Sequence, residues 1–81
     1  MNVSIKEIIS IVSIQLGIRN VVEDHRLVED LGAESADVAN IIAAVEDKYQ
    51  VLINEEMIAR IRSVKDLYIT IIGQLSDTDD R

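Results

Sequence analysis

Few side chains in this sequence could do catalytic chemistry. The chain has no cysteine and a single histidine, His25. A thiol nucleophile and a four-thiolate zinc site are therefore excluded, and a catalytic triad would have to be built around one imidazole. An isolated histidine is most often a solvated loop side chain, which is how we interpret His25. We therefore expect the protein not to be an enzyme.

Paired acids are the second candidate for chemistry, since two carboxylates can flank a sugar or hold a divalent ion weakly. The pairs are Glu23–Asp24, Glu29–Asp30, Glu46–Asp47 and Glu55–Glu56. None has the ligand spacing of a calcium-binding loop. We interpret most of them as solvated faces and helix-start charges, and no metal site is predicted. The glycines are too far apart to form a phosphate-binding loop.

Ser35 is the serine whose surroundings differ from those of the others. It stands where a turn with the sequence Leu-Gly-Ala-Glu passes into an amphipathic pattern. A serine in that place is most often an N-cap. However, the residue three positions later is Val38 rather than Glu or Gln, so the reciprocal capping box is missing and we infer that the hydroxyl faces solvent. A phosphate ester on it would meet the unpaired N–H groups and the positive end of the helix dipole.

The charge balance limits the class of partner. The 81-residue chain has 8 Lys and Arg against 15 Asp and Glu, a formal net charge of −7. This argues against nucleic-acid binding, because phosphates require clustered basic residues. Hydrophobic residues make up 48% of a chain without Phe or Trp. The length therefore predicts one domain with a core of Ile, Val and Leu.

No stretch of the sequence has the pattern of a targeting or membrane segment. Lys6 and Glu7 interrupt the apolar N-terminus before a signal-peptide core could form. The uncharged stretch Ile8–Ile18 is too short to span a bilayer. Together with the absence of cysteine, this predicts a soluble protein of a reducing compartment, most simply the cytoplasm.

Periodicity predicts helices even though the composition is rich in strand-favouring Val and Ile. Helix one is predicted over Ser4–Leu16, with Ser4 and Glu7 as a capping box and Gly17 as its stop. Its predicted buried face consists of Ile5, Ile8, Ile9, Val12 and Leu16. Helix two is predicted to begin near Ser35 and to end at Gln50. Its predicted buried face consists of Val38, Ile41, Ile42, Val45 and Tyr49.

Two further helices are predicted in the second half of the chain. Asn54 is expected to cap a short helix three that ends near Arg60. Ser63 and Asp66 resemble a second cap, which opens helix four. Its predicted buried residues are Val64, Leu67, Tyr68, Ile71 and Leu75, with Gly73 on the opposite side. Two isoleucines, Ile14 and Ile69, fall outside the buried faces and are predicted to be surface residues.

The segment Gly17–Glu34 is long for a connection without regular structure. We predict that Val21, Leu27, Val28 and Leu31 anchor it against the helices. The predicted fold is therefore all-α, a small four-helix bundle with a long first crossover loop and a short third helix. Residues 1–76 are predicted to form the domain, and residues 77–81 a frayed acidic tail.

A family resemblance is visible around Ser35. Residues 27–37, with the sequence LVEDLGAESAD, resemble the Asp-Leu-Gly-Ala-Asp-Ser-Leu-Asp signature of acyl carrier proteins. The similarity continues through Val45–Tyr49, Ile53–Glu56 and Ser63–Leu67, in the order and spacing of the family. It covers nearly the whole chain, and this extent makes the resemblance more specific than the short motif alone.

The resemblance implies that Ser35 carries a 4′-phosphopantetheine arm, transferred from coenzyme A by a phosphopantetheinyl transferase. Acyl intermediates of fatty acid or related lipid biosynthesis would then be held as thioesters on the thiol of the arm. Acyltransferases and ketosynthase-type enzymes are the other implied partners. We expect no nucleic acid, no stable membrane insertion and a monomer. The ring-poor core could also open a channel for the acyl chain, although close packing is the commoner use of such a core.

Three departures from the family pattern concern modification and docking. Glu34 stands where Asp is usual, and its extra methylene could slow modification by a generic transferase. Ala36 stands where Leu usually helps partners to bind. The outer stripe of helix two has fewer acids and smaller apolar side chains than is usual, with Lys48 at its edge. The predicted docking residues are Glu34, Ala36, Asp37, Asn40, Ala43, Glu46 and Asp47.

These departures leave several interpretations open. The surface positions could have drifted without consequence, or the protein could be a carrier dedicated to a specialised pathway, because charge on such a surface mainly sets encounter rate and specificity. Within the carrier class, the cargo could be a polyketide or aminoacyl unit. Outside that class, the protein could be a helical adaptor that is never modified.

Overall fold

The computed structural model describes the backbone of residues 2–79 and the side chains up to residue 75. Within this range the chain forms four α-helices and no β-strand. The helices are α1 (Ile5–Leu16), α2 (Ser35–Tyr49), α3 (Glu55–Arg60) and α4 (Val64–Asp79). The predicted all-α fold, with its long first connection and short third helix, is confirmed.

Local capping sets the starts of α1 and α3, as predicted, but the capping box predicted for Ser4 and Glu7 is only half formed. The Glu7 carboxylate accepts from the Tyr49 hydroxyl instead of from the Ser4 N–H. The Ser4 hydroxyl accepts a hydrogen bond from the Glu7 N–H at 3.2 Å. Gly17 ends α1 in the left-handed conformation, with φ at 66°. The Asn54 side chain accepts from the Met57 N–H at 2.9 Å at the start of α3.

The C-terminal end of α4 lies further along the chain than the sequence pattern indicated. The helix continues through Asp79, so the predicted tail, residues 77–81, begins inside it. Residues 80 and 81 lie outside the described residues. The division of the chain at residue 76 stays a prediction.

The core forms where α1 packs against α2 and α4. The largest fully buried side chains are Ile8, Val12, Leu27, Ile41, Val45, Val64, Leu67 and Ile71. Six residues that were predicted to be buried are only half-buried at the edge of this cluster: Ile5, Ile9, Leu16, Val38, Tyr68 and Leu75. Ile14 and Ile69 are exposed, as predicted. No helix in the described range combines the length and apolar character needed to cross a membrane.

The crossover is ordered, but one of its predicted anchors is wrong. Val21 and Leu27 are buried and Leu31 is half-buried, whereas Val28 is 57% exposed and the buried residue is instead Ala33. The cause is a helical turn within the crossover. The Leu31 N–H donates to the Arg26 carbonyl at 3.1 Å, and the Gly32 N–H donates to the Val28 carbonyl at 3.0 Å. Leu27 and Leu31, four residues apart, then share the inner side and Val28 falls outside.

The crossover is held against the start of α4 by backbone hydrogen bonds. The Val64 N–H donates to the His25 carbonyl at 3.0 Å, and the Leu27 N–H donates to the Arg62 carbonyl at 2.8 Å. His25 is half-buried, and its Nδ1 accepts from the Val22 N–H at 3.1 Å. The interpretation of His25 as a solvated loop side chain is therefore wrong, because the imidazole closes a turn of the crossover.

Candidate functional site

The turn before α2 makes Ser35 the first helical residue and not the N-cap. Glu34 stands at the N-cap position. The Asp37 carboxylate accepts a hydrogen bond from the Glu34 N–H at 2.9 Å. The inference that this helix lacks a capping box is therefore wrong, because the box is built one residue earlier than the serine.

The consequence inferred for the hydroxyl nevertheless holds. Ser35 is exposed, and its Oγ has no hydrogen-bond partner among the described residues. The other exposed serine with a described side chain and no such partner is Ser10, inside α1. The hydroxyls of Ser4, Ser13 and Ser63 are all hydrogen-bonded. Ser35 is thus a free hydroxyl at a helix start, where backbone N–H groups lack partners from a preceding turn.

An open cleft of about 820 Å³ begins at Ser35 and lies between α2, α3 and the crossover. Apart from Glu34 and Ser35, the side chains that line it are apolar. They are Val28, Ala33, Ala36, Val38, Ala39, Ile42, Ile58 and Ile61. The exposed Val28 is therefore a wall of this cleft. The sequence periodicity of the crossover could not predict that Val28 lines a cleft, because its orientation depends on where the helical turn forms.

The predicted outer stripe of α2 is exposed along its length. Ala36, Asn40, Ala43 and Asp47 all lie on the surface. At the end of the helix, the Lys48 ammonium lies 5.7 Å from the centre of the Tyr49 ring. That ring is buried, and its hydroxyl donates to the Glu7 carboxylate at 2.9 Å. Burial, together with this neighbouring carboxylate, raises the pKa of Tyr49 to about 12.

The acids assigned to docking are not equivalent. Asp37 and Glu46 are half-buried, and both carboxylates accept backbone N–H groups, from Glu34 and from Ile53 at 3.0 Å. Asp47 is exposed, and its carboxylate has no partner among the described residues. The structure thus gives two of these acids a part in the fold, while their role in docking stays a prediction.

The paired acids do not form a cation site within the described range, where no three potential metal-ligating side chains lie together. Asp30 is instead held by Arg26, whose guanidinium donates to it at 3.0 and 3.1 Å. The hydrogen bonds from the Arg26 side chain and backbone N–H lower the pKa of Asp30 to about 2. This pair orders the crossover just before the turn to Ser35.

Comparison with known proteins adds a family match, two relatives and a solved structure. The family described as "Phosphopantetheine attachment site" matches residues 6–71. An acyl carrier protein of Syntrophobacter fumaroxidans is 36% identical over 64 residues, which are 76% of this chain and 79% of that protein. One from Cyanidium caldarium is 32% identical over 75 residues, or 90% and 87% of the two chains. The crystal structure of an acyl carrier protein from Thermotoga maritima superposes with a TM-score of 0.77 at 32% identity, covering 91% of this chain and 88% of that one.

Proposed function

The chain belongs to the acyl carrier protein family, and we propose that Ser35 is the residue that bears its 4′-phosphopantetheine arm. Its role is that of an acyl carrier, and members of this family are generally non-catalytic. The observation that supports Ser35 most strongly is its exposed hydroxyl, without a partner among the described residues, at the first residue of α2. A transferase can reach such a hydroxyl without breaking any contact of its oxygen.

The start of α2 also suits the phosphate that joins the arm to the protein. The first N–H groups of a helix have no intrahelical acceptors, and the helix dipole places partial positive charge there. Asp37 uses its carboxylate on the Glu34 N–H, so the turn is held in place without the serine. The residues that would hold the attached group are therefore Ser35 itself and the first turn of α2.

The chain has no cysteine, and when bound the arm supplies a thiol on which acyl groups are held as thioesters. We infer that the cleft beside Ser35 receives the apolar part of the cargo. Its apolar lining supports this, because each methylene moved out of water contributes about 0.8 kcal/mol. The predicted channel would then lie at this cleft, between α2 and α3.

Catalysis is assigned to the enzymes that the carrier visits. Nδ1 of its single histidine, His25, already accepts a hydrogen bond within the crossover, which supports a structural role for that side chain. A phosphopantetheinyl transferase, acyltransferases and ketosynthase-type enzymes of fatty acid or related lipid biosynthesis are the proposed partners. The cytoplasm is the proposed compartment.

Intact-mass measurement tests the attachment site. The full chain is incubated with coenzyme A and a broad-specificity phosphopantetheinyl transferase. We expect one phosphopantetheine increment on the wild-type chain and none on Ser35→Ala. Ser10→Ala is the matched control, since Ser10 is also exposed and has no partner among the described residues, and it should load fully.

An increment that persists in Ser35→Ala would move the attachment site elsewhere. No increment on the wild-type chain, even with the transferase of its own source, would favour the unmodified adaptor. Loading followed by activity only with non-fatty-acid enzymes would favour a polyketide or aminoacyl carrier. If general fatty-acid enzymes turn over this chain and a housekeeping carrier at equal rates, a specialised role would be excluded.

A second measurement tests the cleft. The melting temperature of the loaded chain should rise with the length of the attached acyl group as more of it is buried. Ala39→Phe should weaken that dependence, because Ala39 lines the cleft. Ala43→Phe, at an exposed alanine one turn further along α2 and outside the cleft, should leave it unchanged. Equal effects of the two substitutions would argue against the cleft as the acyl site.

A further inference from the structure

The most exposed large apolar side chain in the described part of the chain is Leu52, between α2 and α3. It is 82% exposed, whereas its two neighbours Val51 and Ile53 are each 6% exposed. The backbone therefore alternates inward, outward and inward, as extended backbone does. With both neighbours fixed in the core, Leu52 has to point away from it.

The outward orientation of Leu52 is held by hydrogen bonds to the residues on both sides of it. The Glu46 carbonyl accepts from the Val51 N–H at 3.3 Å, and the Glu46 carboxylate accepts from the Ile53 N–H at 3.0 Å. Gln50 enters the left-handed region with φ at 54°, and its side-chain amide donates to the Asp47 carbonyl at 2.7 Å. The exposure of Leu52 is therefore a fixed feature of the loop.

The surroundings of Leu52 combine an apolar surface with negative charge. Leu52 borders a shallow groove of about 450 Å³, which also takes in Ala43 and Asp47 from the exposed stripe of α2. The Asp47 carboxylate has no partner among the described residues, unlike that of Glu46. The groove thus continues the outer stripe of α2 and adds a large apolar side chain to it.

We propose that Leu52 is the anchor of a docking surface for ketosynthase-type enzymes, inserting into an apolar depression bordered by Lys or Arg. This rests on the proposed carrier function. Basic residues are the complement of the free Asp47 and of a chain with a net charge of −7. The same charge disfavours a second copy of this chain as the occupant, because two such copies repel one another. Leu52 with the free Asp47 carboxylate beside it has the arrangement of a docking surface, an apolar centre with a polar rim.

The position of the groove determines which kinetic parameter it controls. The α2 helix has 15 residues, so its two ends lie about 20 Å apart. Leu52 follows the C-terminal end of α2, whereas Ser35 is at the N-terminal end. Leu52 is therefore far from the atoms that react. Contacts there hold the carrier equally before and during the chemical step, so their loss should raise KM and leave kcat unchanged.

The test uses the full chain loaded on Ser35 and the ketosynthase of its own source. Leu52→Ala should raise KM roughly tenfold with kcat within about twofold. Asp47→Asn should raise KM less, and its effect should shrink as ionic strength rises. Ile14→Ala is the matched control, because Ile14 is a 73% exposed aliphatic residue on α1, and it should leave KM unchanged. Circular dichroism should show the same fold for all four chains.

The possible failures are distinguishable. Intact mass is measured first, and absence of loading in the wild-type chain would overturn the proposed function and this inference with it. With loading complete, an unchanged KM for Leu52→Ala, equal effects of Leu52→Ala and Ile14→Ala, or no turnover of the wild-type chain would overturn the inference alone. A dimer in sedimentation that Leu52→Ala dissociates would assign the surface to a second copy and overturn the enzyme partner.

Discussion

The first turns of α2 and α4 are capped in the same way, but each has its serine in a different position. In α4 the serine is the cap: the Ser63 hydroxyl accepts from the Asp66 N–H at 3.1 Å, and the Asp66 carboxylate accepts from the Ser63 N–H at 3.0 Å. In α2, Asp37 accepts from the N–H of Glu34 at 2.9 Å, and Ser35 comes one residue after the cap. One hydroxyl is therefore used by its helix, and the other is left to the solvent.

This difference shows that position relative to the cap decides what a serine at a helix start can do. A serine at the N-cap contributes its oxygen to the helix and is a poor substrate for a modifying enzyme. A serine at the next position contributes little to the helix, since the acid three residues after the cap secures the turn without it. The α2 start thus obtains stability from Glu34 and Asp37 and leaves Ser35 available for modification.

The largest expected effect is that Ser35 controls phosphopantetheine loading but not stability, whereas Ser63 does not affect loading. Ser35→Ala should abolish phosphopantetheine loading and change the free energy of unfolding by less than about 0.5 kcal/mol, because the side chain is exposed and has no partner among the described residues. Ser63→Ala should load fully. Intact mass and urea unfolding give the two readouts. Loss of loading in Ser63→Ala, with its fold intact, would break the comparison.

A smaller effect is expected at Glu34, the residue before the modified serine. Glu34→Asp shortens the side chain by one methylene and restores the usual acid of the family signature. With a generic transferase we expect the loading rate to rise roughly tenfold, because displacing a participating carboxylate by about 1 Å can cost up to about a hundredfold in rate. Time courses of loading measure this. An unchanged rate would mean that the enzyme tolerates the longer acid.

Replacing the serine at the start of α4, Ser63, should lower the stability of the fold. Ser63→Ala removes the acceptor of the Asp66 N–H and should lower the free energy of unfolding by about 1 kcal/mol. Ser63→Thr keeps a hydroxyl and should recover most of that loss. Urea unfolding at neutral pH measures both variants. Equal stability of Ser63→Ala and the wild-type chain would show that the cap is dispensable.

The smallest expected effect is a pH dependence that comes from the α4 cap. Burial opposes ionisation of Asp66, but the Arg62 and Ser63 N–H groups donate to its carboxylate and outweigh it, so the pKa of Asp66 lies below its usual value. A lowered folded-state pKa contributes stability above the unfolded value of about 3.9, and this is lost as pH falls below it. Urea unfolding between about pH 5 and pH 2.5 should therefore show a shallower loss of stability in Asp66→Asn. Parallel curves for the two chains would contradict this.

Much of the fold follows from short stretches of sequence. The starts of α1, α3 and α4 were predicted from Ser4, Asn54 and Ser63, and each cap hydrogen bond is present. Ser35 was singled out because a turn meets an amphipathic pattern there. The α2 cap was not predicted because Ser35 was taken as the N-cap. Asp37 lies three residues after Glu34, which is the spacing of a capping box, and it marks Glu34 as the cap.

The remaining properties of the site depend on residues far apart in the sequence. Val28 was predicted to be an anchor and is instead a cleft wall, because the crossover coils locally while packing on the start of α4. Glu46 and Asp47 are neighbouring acids that no pattern separates, yet Glu46 is bound to the loop after α2 and Asp47 is free. Likewise, nothing in the run Val51–Ile53 says which side chain is exposed.

The sequence by itself determined the four helices, most of their caps and the serine that the family signature marks, because these depend on contacts within a few residues. Only the tertiary structure decided that the Ser35 hydroxyl has no partner among the described residues, that a cleft lies beside it, and that Leu52 is held outward. Exposure and hydrogen bonding are properties of a side chain among its spatial neighbours. At the cleft, the neighbours of α2 come from α3 and the crossover, which are brought together only when the chain is packed.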